Sequence, residues 1–296
     1  MVLDKLKDYG NLVMFSHSIF SLPFGLVAML FAYNQTTEGI QIPPLEVFMW
    51  ILVALLAARN GANAFNRVAD KEIDKKNPRT RNRDIPSGRV KSKEAVGLTV
   101  FCFVILAVAA YQLNTACLVL LPFAIAIFIF YSYSKRITWL CHYILGIACG
   151  GAPVGAWIAI QGFPFGWDYL SAILLGGAVC FWIAGFDIIY ATQDIEFDRK
   201  EKIFSVPSRF GFEKALLIAK TSHLVAVLIL TLLPLFFTRL NIFIYYTGVL
   251  IIAGLLLVEH YNINPKNEKK MNFVSYSINQ VISIVFFIFT IGALFL

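Results

Sequence analysis

Residues 44–74 read PLEVFMWILVALLAARNGANAFNRVADKEID. The first part of this stretch is almost entirely apolar, and it is long enough to cross a hydrocarbon core, which takes about 20 helical residues. Acidic side chains follow directly, four residues apart. The stretch therefore predicts a membrane-spanning helix with polar groups gathered at one end.

Similar apolar runs recur along the whole chain of 296 residues, which is 58% hydrophobic and only 15% charged. Soluble domains carry about 25% charged residues, and this apolar excess cannot be hidden in a single core. The composition excludes a soluble enzyme and a disordered chain, and the cysteines show no zinc or disulfide spacing. We predict nine membrane spans, at roughly 11–33, 44–66, 95–113, 116–133, 139–160, 168–190, 215–237, 241–258 and 273–296.

Basic residues are concentrated in alternate connections, which follow spans 2, 4, 6 and 8, whereas the other connections contain only Arg239. Positively charged loops stay in the cytoplasm. We therefore expect a cytoplasmic N-terminus, an external C-terminus and a single all-α integral membrane domain over residues 1–296. Its two long polar stretches, about 67–94 and 191–214, would form cytoplasmic cap loops. No soluble module is present that could bind nucleic acid.

The end of the second span carries polar side chains at spacings of four, three, four and four residues. At 3.6 residues per turn, such side chains lie along one helix face. A charge at bilayer depth is costly unless it faces a cavity or a partner, so we expect this face to point into the helix bundle. Its residues are Arg59, Asn63, Asn66, Asp70 and Asp74.

The sixth span repeats this arrangement with Asp187, Tyr190, Asp194 and Asp198. Like charges on one face repel each other, and two such faces at the same membrane level need a counter-charge. Oxygen-rich clusters suit Mg²⁺ or Mn²⁺, and Mg²⁺ keeps open positions for phosphate oxygens. Nearby basic side chains could hold the outer phosphate charge. These residues are Arg79, Arg81, Arg83, Lys135 and Arg136.

Four segments, taken together and in this order, resemble those of UbiA-type membrane prenyltransferases. NRVADKEID (66–74) and DIIYATQDIEFD (187–198) are similar to the two acidic motifs of that family. RTRNRDIPSG (79–88) and YSYSKRIT (131–138) resemble its basic segments. The second acidic motif looks closest to the 4-hydroxybenzoate polyprenyltransferase branch.

The resemblance implies a Mg²⁺-dependent enzyme whose transmembrane helices surround a central cavity that opens to lipid. It would move a polyprenyl chain from its diphosphate to an aromatic acid in quinone biosynthesis. The implied metal ligands are Asn66, Asp70, Asp74, Asp194 and Asp198. The implied catalytic groups are Asp70, Asp187, Tyr190 and Asp194, with Asp187 a candidate base. The implied diphosphate ligands are Arg79, Arg83, Lys135 and Arg136.

Several assignments stay open at this point. Arg59 either binds an acceptor carboxylate or pairs with an acid, and His17 either contacts the acceptor or is a satisfied buried histidine. Asn63 shares the Arg59 face and is a further candidate for substrate binding. The acceptor could instead be a dihydroxynaphthoate on a menaquinone route, or haem, chlorophyllide or a glycerol phosphate as in sister branches of the family. A secondary transporter of an organic anion is the alternative from another class, although transporter sites lie near the midplane.

The length of the chain, without a transit peptide, favours a prokaryotic cytoplasmic (inner) membrane, with the active site facing the cytoplasm. The sequence does not specify the oligomeric state. In the fifth span, glycines at small-residue spacing predict close helix packing; they are Gly146, Gly150, Gly151 and Gly155. The remaining histidines show no ligand spacing and receive no role; they are His142, His223 and His260.

Overall fold

A computed structural model describes residues 2–13, 20–163, 166–267, 270–271 and 273–296. Within these ranges the secondary structure is helical and contains no strand. Eight of the described helices are long and apolar enough to cross a membrane. They confirm eight of the nine predicted spans, with bounds that agree to within a few residues. The first predicted span, 11–33, includes residues outside the described ranges and stays a prediction.

The helices follow one another along the chain, and the connection from Lys76 to Ser92 is among the longest. They are α1 (Val2–Leu12), α2 (Leu22–Thr36), α3 (Leu45–Ala69), α4 (Lys71–Lys76), α5 (Ser92–Leu113), α6 (Thr115–Ser134), α7 (Cys141–Gln161), α8 (Leu170–Ala191), α9 (Ile195–Lys200), α10 (Val206–Phe210), α11 (Phe212–Leu232), α12 (Ile242–Tyr261) and α13 (Asn279–Phe295). A 3₁₀ turn, Thr192–Asp194, joins α8 to α9, and a π-helical turn, Phe273–Ile278, leads into α13.

The chain divides into two compact units, the first formed by residues 1–18 and 45–133. In this unit α3 and α5 approach closely at Gly61, where a Cβ would lie only 2.7 Å from the ring of Phe103. Only Asn114 separates α5 from α6, so these two helices form a tight hairpin. At the polar end of the unit, Lys5 of α1 forms a 3.1 Å ion pair with Glu94 of α5. The N-terminal helix is thus fastened beside the segment that follows the first acidic motif.

The second unit comprises residues 19–44 and 134–296, and its helices α7 and α8 are in backbone contact. A Cβ on Gly146 or Gly150 would overlap with backbone atoms of α8, which for Gly150 belong to Gly176. The predicted close packing is therefore confirmed for these two glycines. It does not hold for Gly151 and Gly155, since no described atom lies within 4 Å of a Cβ at either position.

This contact yields a test with an adjacent control. Gly150→Ala is expected to destabilise the protein by about 2 kcal/mol or more, because the new methyl group forces two packed backbones apart. Gly151→Ala, one residue along, is expected to leave stability unchanged. The measurement is the thermal unfolding midpoint of the detergent-solubilised protein, and equal midpoints for the two variants would contradict the packing.

Polar side chains also tie the apolar helices of the second unit together. Trp182 Nε1 donates to Asn279 Oδ1 at 2.7 Å, and Asn279 Nδ2 donates to Glu259 Oε1 at 2.8 Å. His223 and His260 are joined by a 3.0 Å hydrogen bond between Nδ1 and Nε2. Interhelical hydrogen bonds of this kind hold helices together where apolar burial alone gives no preference. They fix α8 against α11, α12 and α13.

Candidate active site

The first acidic motif spans the junction between α3 and α4 in the first unit. Asp70 occupies the turn itself, yet the backbone bonds Asp70 N–Asn66 O (2.9 Å) and Asp74 N–Asp70 O (2.8 Å) continue the helical repeat. Asn66 Nδ2 donates to Asp70 Oδ2 at 3.2 Å. The three side chains therefore succeed one another at intervals of one helical turn, as their spacing predicted.

Asp74 of this motif forms a buried salt bridge. Its Oδ1 accepts a 2.8 Å hydrogen bond from Arg83 Nη1, and the residue is only 3% exposed. Its Oδ2 is buried and has no hydrogen bond to any residue in the described part of the chain. A buried, unpartnered carboxylate oxygen is costly, and a bound cation would remove that cost.

Hydrogen bonds and ion pairs with Asp74 and Asp84 hold the basic segment that follows α4. Thr80 Oγ1 donates to the Asp74 carbonyl at 3.2 Å, which turns the chain back so that Arg83 reaches Asp74. Further along, Arg89 pairs with Asp84 at 3.0 Å. The first predicted cap loop thus contains α4 and a series of turns. Arg79 is half-buried there.

The apolar half of α3 carries the other residues predicted to bind substrate. Asn63 Nδ2 donates to the carbonyl of Val13 at 2.8 Å, so this side chain holds the end of α1 against α3. Arg59 lies half-buried one helical turn earlier. His17 lies outside the described residues, and its role stays a prediction.

The second acidic motif, in the second unit, is less regular than its spacing predicted. Asp187 belongs to α8, Asp194 to the 3₁₀ turn and Asp198 to α9. The turn begins where Thr192 Oγ1 donates to the Ile189 carbonyl at 2.6 Å, since side chains of this type compete with the helix for its backbone partners. The predicted uninterrupted face therefore breaks after Tyr190.

Asp198 is held from the far side of the second cap loop. Ser205 Oγ donates to Asp198 Oδ2 at 2.8 Å. Ser205 Oγ also caps α10, because it accepts a hydrogen bond from Ser208 N at 3.1 Å. Phe204 N donates to the backbone carbonyl of Lys135 at 2.8 Å. The loop is thereby fastened to the connection that carries the predicted phosphate-binding residues.

The remaining residues of this group differ in their exposure. Arg136 is exposed, whereas Tyr190 is half-buried. The ring of Tyr190 packs edge-on against that of Tyr276, with their centroids 5.3 Å apart. Asp194 is also half-buried, on the 3₁₀ turn.

The sequence did not predict that Asp187 has a histidine partner. His142 Nδ1 lies 2.6 Å from Asp187 Oδ2, and its Nε2 accepts a 3.2 Å hydrogen bond from Val206 N. Spacing could not reveal a pair that is separated by 45 positions. The available signal was an ionisable group at the start of an apolar span, which is uncommon unless it is functional.

The donor set of each motif can be compared with the needs of a metal ion. Across the described ranges, no three His, Cys, Asp or Glu side chains are grouped as a metal site. The first motif supplies two carboxylates and an amide, which are hard oxygen donors. Mg²⁺ is typically held by one or two carboxylates, together with water and substrate phosphates. These residues therefore fit Mg²⁺ better than a metal that requires a complete protein cage.

Comparison with known proteins gives a consistent result. The model of the UbiA prenyltransferase family matches residues 21–291. A 4-hydroxybenzoate octaprenyltransferase from Aliivibrio fischeri is 28% identical over 292 residues, which is 97% of each chain. The apo structure of a UbiA homolog from Aeropyrum pernix K1 has a TM-score of 0.80 at 28% identity and covers 94% of this chain and 98% of its own.

A second solved structure, at 18% identity, supports the fold alone. It is a UbiA homolog from Archaeoglobus fulgidus bound to DMAPP and Mg²⁺, with a TM-score of 0.67, and the match covers 97% of this chain and 99% of that one. Since the family model matches most of the sequence, and eight described helices can span a bilayer, the chain is an integral membrane protein. It belongs to the UbiA prenyltransferase family and is an enzyme that transfers prenyl groups.

Proposed function

We propose that this enzyme transfers a polyprenyl chain from polyprenyl diphosphate to a ring carbon of 4-hydroxybenzoate, or a closely similar aromatic acid, in quinone biosynthesis. The observation that carries this proposal is the first acidic motif, where Asp74 keeps one buried oxygen unpartnered while Arg83 binds the other. A carboxylate and a guanidinium side by side suit a metal-diphosphate group. The acceptor is inferred from the name of the Aliivibrio relative.

Mg²⁺ is the proposed cofactor of both acidic motifs. Asn66, Asp70 and Asp74 would bind one ion, and Asp194 and Asp198 would bind another. Support comes from the hard oxygen donors of these residues and from the Archaeoglobus structure, which is bound to DMAPP and Mg²⁺. When bound, Mg²⁺ supplies positive charge to the diphosphate oxygens as the carbon–oxygen bond breaks.

The diphosphate is proposed to lie against four basic side chains. Guanidinium groups bind phosphate oxygens through paired hydrogen bonds, and Asp74 orients one of these groups by accepting from Arg83 Nη1. Charge that builds on the departing diphosphate would be stabilised by groups already in position. The four residues are Arg79, Arg83, Lys135 and Arg136.

The reaction itself exchanges one bond for another. The bond between prenyl C1 and the diphosphate oxygen breaks, and a bond from C1 to the ring carbon forms. The ring proton then passes to the Asp187 carboxylate. Tyr190 follows Asp187 by three residues and is half-buried. Its ring packs on that of Tyr276 and would form an aromatic wall that faces the allylic cation. A dry site protects that cation from water.

The acceptor is assigned to the polar groups on the apolar half of α3. Arg59 would pair with the acceptor carboxylate, and Asn63 would line the same side. His17 is the third proposed acceptor contact. An aromatic acid with one carboxylate and one hydroxyl matches a site that offers one guanidinium and neutral polar groups.

The proposed topology places this chemistry at the cytoplasmic surface. We propose nine spans in a single domain around a central cavity, with a cytoplasmic N-terminus and an external C-terminus in a prokaryotic inner membrane. The charge bias of alternate connections supports this orientation. The stretches 67–94 and 191–214 would cover the polar mouth, while the prenyl tail extends into lipid. Membership of an enzyme family favours transfer over the transporter alternative.

The acceptor can be identified in isolated membranes that contain the protein. Radiolabelled prenyl diphosphate is supplied with 4-hydroxybenzoate, a dihydroxynaphthoate or glycerol phosphate, and lipid-soluble labelled products are separated. We expect Mg²⁺-dependent labelling of 4-hydroxybenzoate, and none in membranes that lack the protein. Labelling of the dihydroxynaphthoate alone would assign the enzyme to the menaquinone route instead. The proposal would be overturned if none of the acceptors gave a labelled product.

A further inference from the structure

We propose that His142 is a positioning residue for prenyl transfer, because it holds the Asp187 carboxylate in the orientation that receives the ring proton. The inference rests on the proposed function above. It adds a second residue to the proton-removal step, from a helix that the acidic motifs do not include. The pair joins the start of α7 to the end of α8 within one compact unit.

The hydrogen bonds of His142 define where its proton lies. A backbone amide can only donate, so the 3.2 Å contact from Val206 N requires an unprotonated, accepting Nε2. A neutral imidazole carries one proton, which must then lie on Nδ1. Nδ1 faces Asp187 Oδ2 at 2.6 Å. His142 is thus a neutral donor to the carboxylate, with its tautomer set by the partner on its other side.

Burial separates the roles of the two residues. The His142 side chain is 3% exposed, whereas the Asp187 side chain is 28% exposed. The imidazole is therefore a fixed support with no route to a substrate of its own, while the carboxylate is accessible. His142 occupies one carboxylate oxygen, Oδ2, and leaves Oδ1 available to accept a proton. A base whose orientation is fixed by a second side chain needs less rearrangement in the transition state.

The support continues to the proposed metal-binding acid. Val206, which fixes the tautomer of His142, follows Ser205, whose hydroxyl donates to Asp198 Oδ2 at 2.8 Å. Two consecutive residues at the start of α10 thus hold Asp187, through His142, and Asp198 directly. The proposed base and a proposed metal ligand are therefore both held by Ser205 and Val206. This shared support restricts the distance between the two carboxylates.

The proton balance of the step is complete with these groups. As C1 bonds to the ring, the ring carbon gives its proton to Asp187 Oδ1, and the electron pair of that C–H bond restores the aromatic ring. The Asp187 carboxyl is neutral afterwards and releases the proton to water once the product has left. His142 keeps its own proton on Nδ1 throughout.

Three substitutions separate the two hydrogen bonds of His142. Asn places an amide nitrogen near the position of Nδ1 and keeps the bond to Asp187. Gln places its carbonyl near the position of Nε2 and keeps only the bond from Val206. Leu removes both bonds. We expect kcat to fall by at least about 10-fold in His142→Gln and His142→Leu, and to stay within about threefold of wild type in His142→Asn. KM for prenyl diphosphate should be unchanged in all three variants.

An isotope effect distinguishes positioning from a structural role. With an acceptor deuterated at the reacting ring carbon, the wild type should show an effect near unity, because breakage of the C–O bond limits the rate. His142→Gln and His142→Leu should raise the effect clearly above unity, since removal of the ring proton becomes slow. His260→Gln, in the same unit but hydrogen-bonded to His223 and not to Asp187, should leave the isotope effect unchanged.

The outcomes are separable. If the Gln and Leu variants lose activity with no isotope effect and Asn gives no rescue, His142 is structural and the proposal is overturned. Wild-type rates in all variants would overturn it equally. If the Leu variant does not fold, the Asn and Gln pair carries the comparison, because each keeps one hydrogen bond. Failure of the proposed function looks different: the wild-type protein itself labels no aromatic acceptor, and the positioning role falls with it.

Discussion

Alanine at Asp70 or at Asp194 is expected to reduce prenyl transfer by at least about 100-fold while the protein still inserts into the membrane. Each substitution removes a proposed Mg²⁺ ligand, so charge on the departing diphosphate loses its stabilisation, and single groups of this kind contribute about 10²–10³ in rate. The measurement is the initial rate of product labelling in membranes that contain equal amounts of each variant.

Neighbouring acids provide matched controls for these two variants. Glu72 and Glu196 lie two residues from Asp70 and Asp194, and both are exposed. Glu72→Ala and Glu196→Ala remove the same charge from the same stretches, so they should keep rates close to wild type. Mg²⁺-dependent transfer that persists in Asp70→Ala or Asp194→Ala would contradict the metal role. Equal losses in the control variants would point to a general effect of charge.

Removal of divalent metal is expected to stop the reaction completely. EDTA should abolish labelling of the acceptor, and added Mg²⁺ should restore it, because the carboxylates cannot approach a diphosphate without a counter-charge. The rate is measured against free Mg²⁺ concentration, with EDTA already saturated by Mg²⁺ as the control. A full rate in excess chelator would contradict the proposed cofactor.

The spans were predictable because lipid offers the backbone no hydrogen-bond partners, so a membrane-crossing chain must form helices of a set length. Hydropathy therefore located α3, with its polar end, to within a few residues. The one-turn spacing of Asn66, Asp70 and Asp74 was predictable for a related reason, since the helical repeat continues through the α3–α4 junction. Local periodicity carries this information.

The remaining features depend on contacts between distant positions. His142 and Asp187 are 45 residues apart, and no local pattern links them. At the 3₁₀ turn after α8, the Thr192 hydroxyl donates to the Ile189 carbonyl, and the spacing of the acidic residues does not encode this hydrogen bond. The glycine pattern likewise predicted contact at Gly151, but only the packing of α7 decides which glycines of the pattern face α8.

The central proposal is that Asp70 and Asp194 both take part, through Mg²⁺, in binding the prenyl diphosphate. Its most direct test is Mg²⁺-dependent binding of an unreactive prenyl thiodiphosphate to the wild type, Asp70→Asn, Asp194→Asn and the double variant. Residues that act as one unit give non-additive losses, so each single variant should lose most of the affinity and the double variant should lose little more. Losses that add in the double variant, or wild-type affinity in either single variant, would contradict the claim.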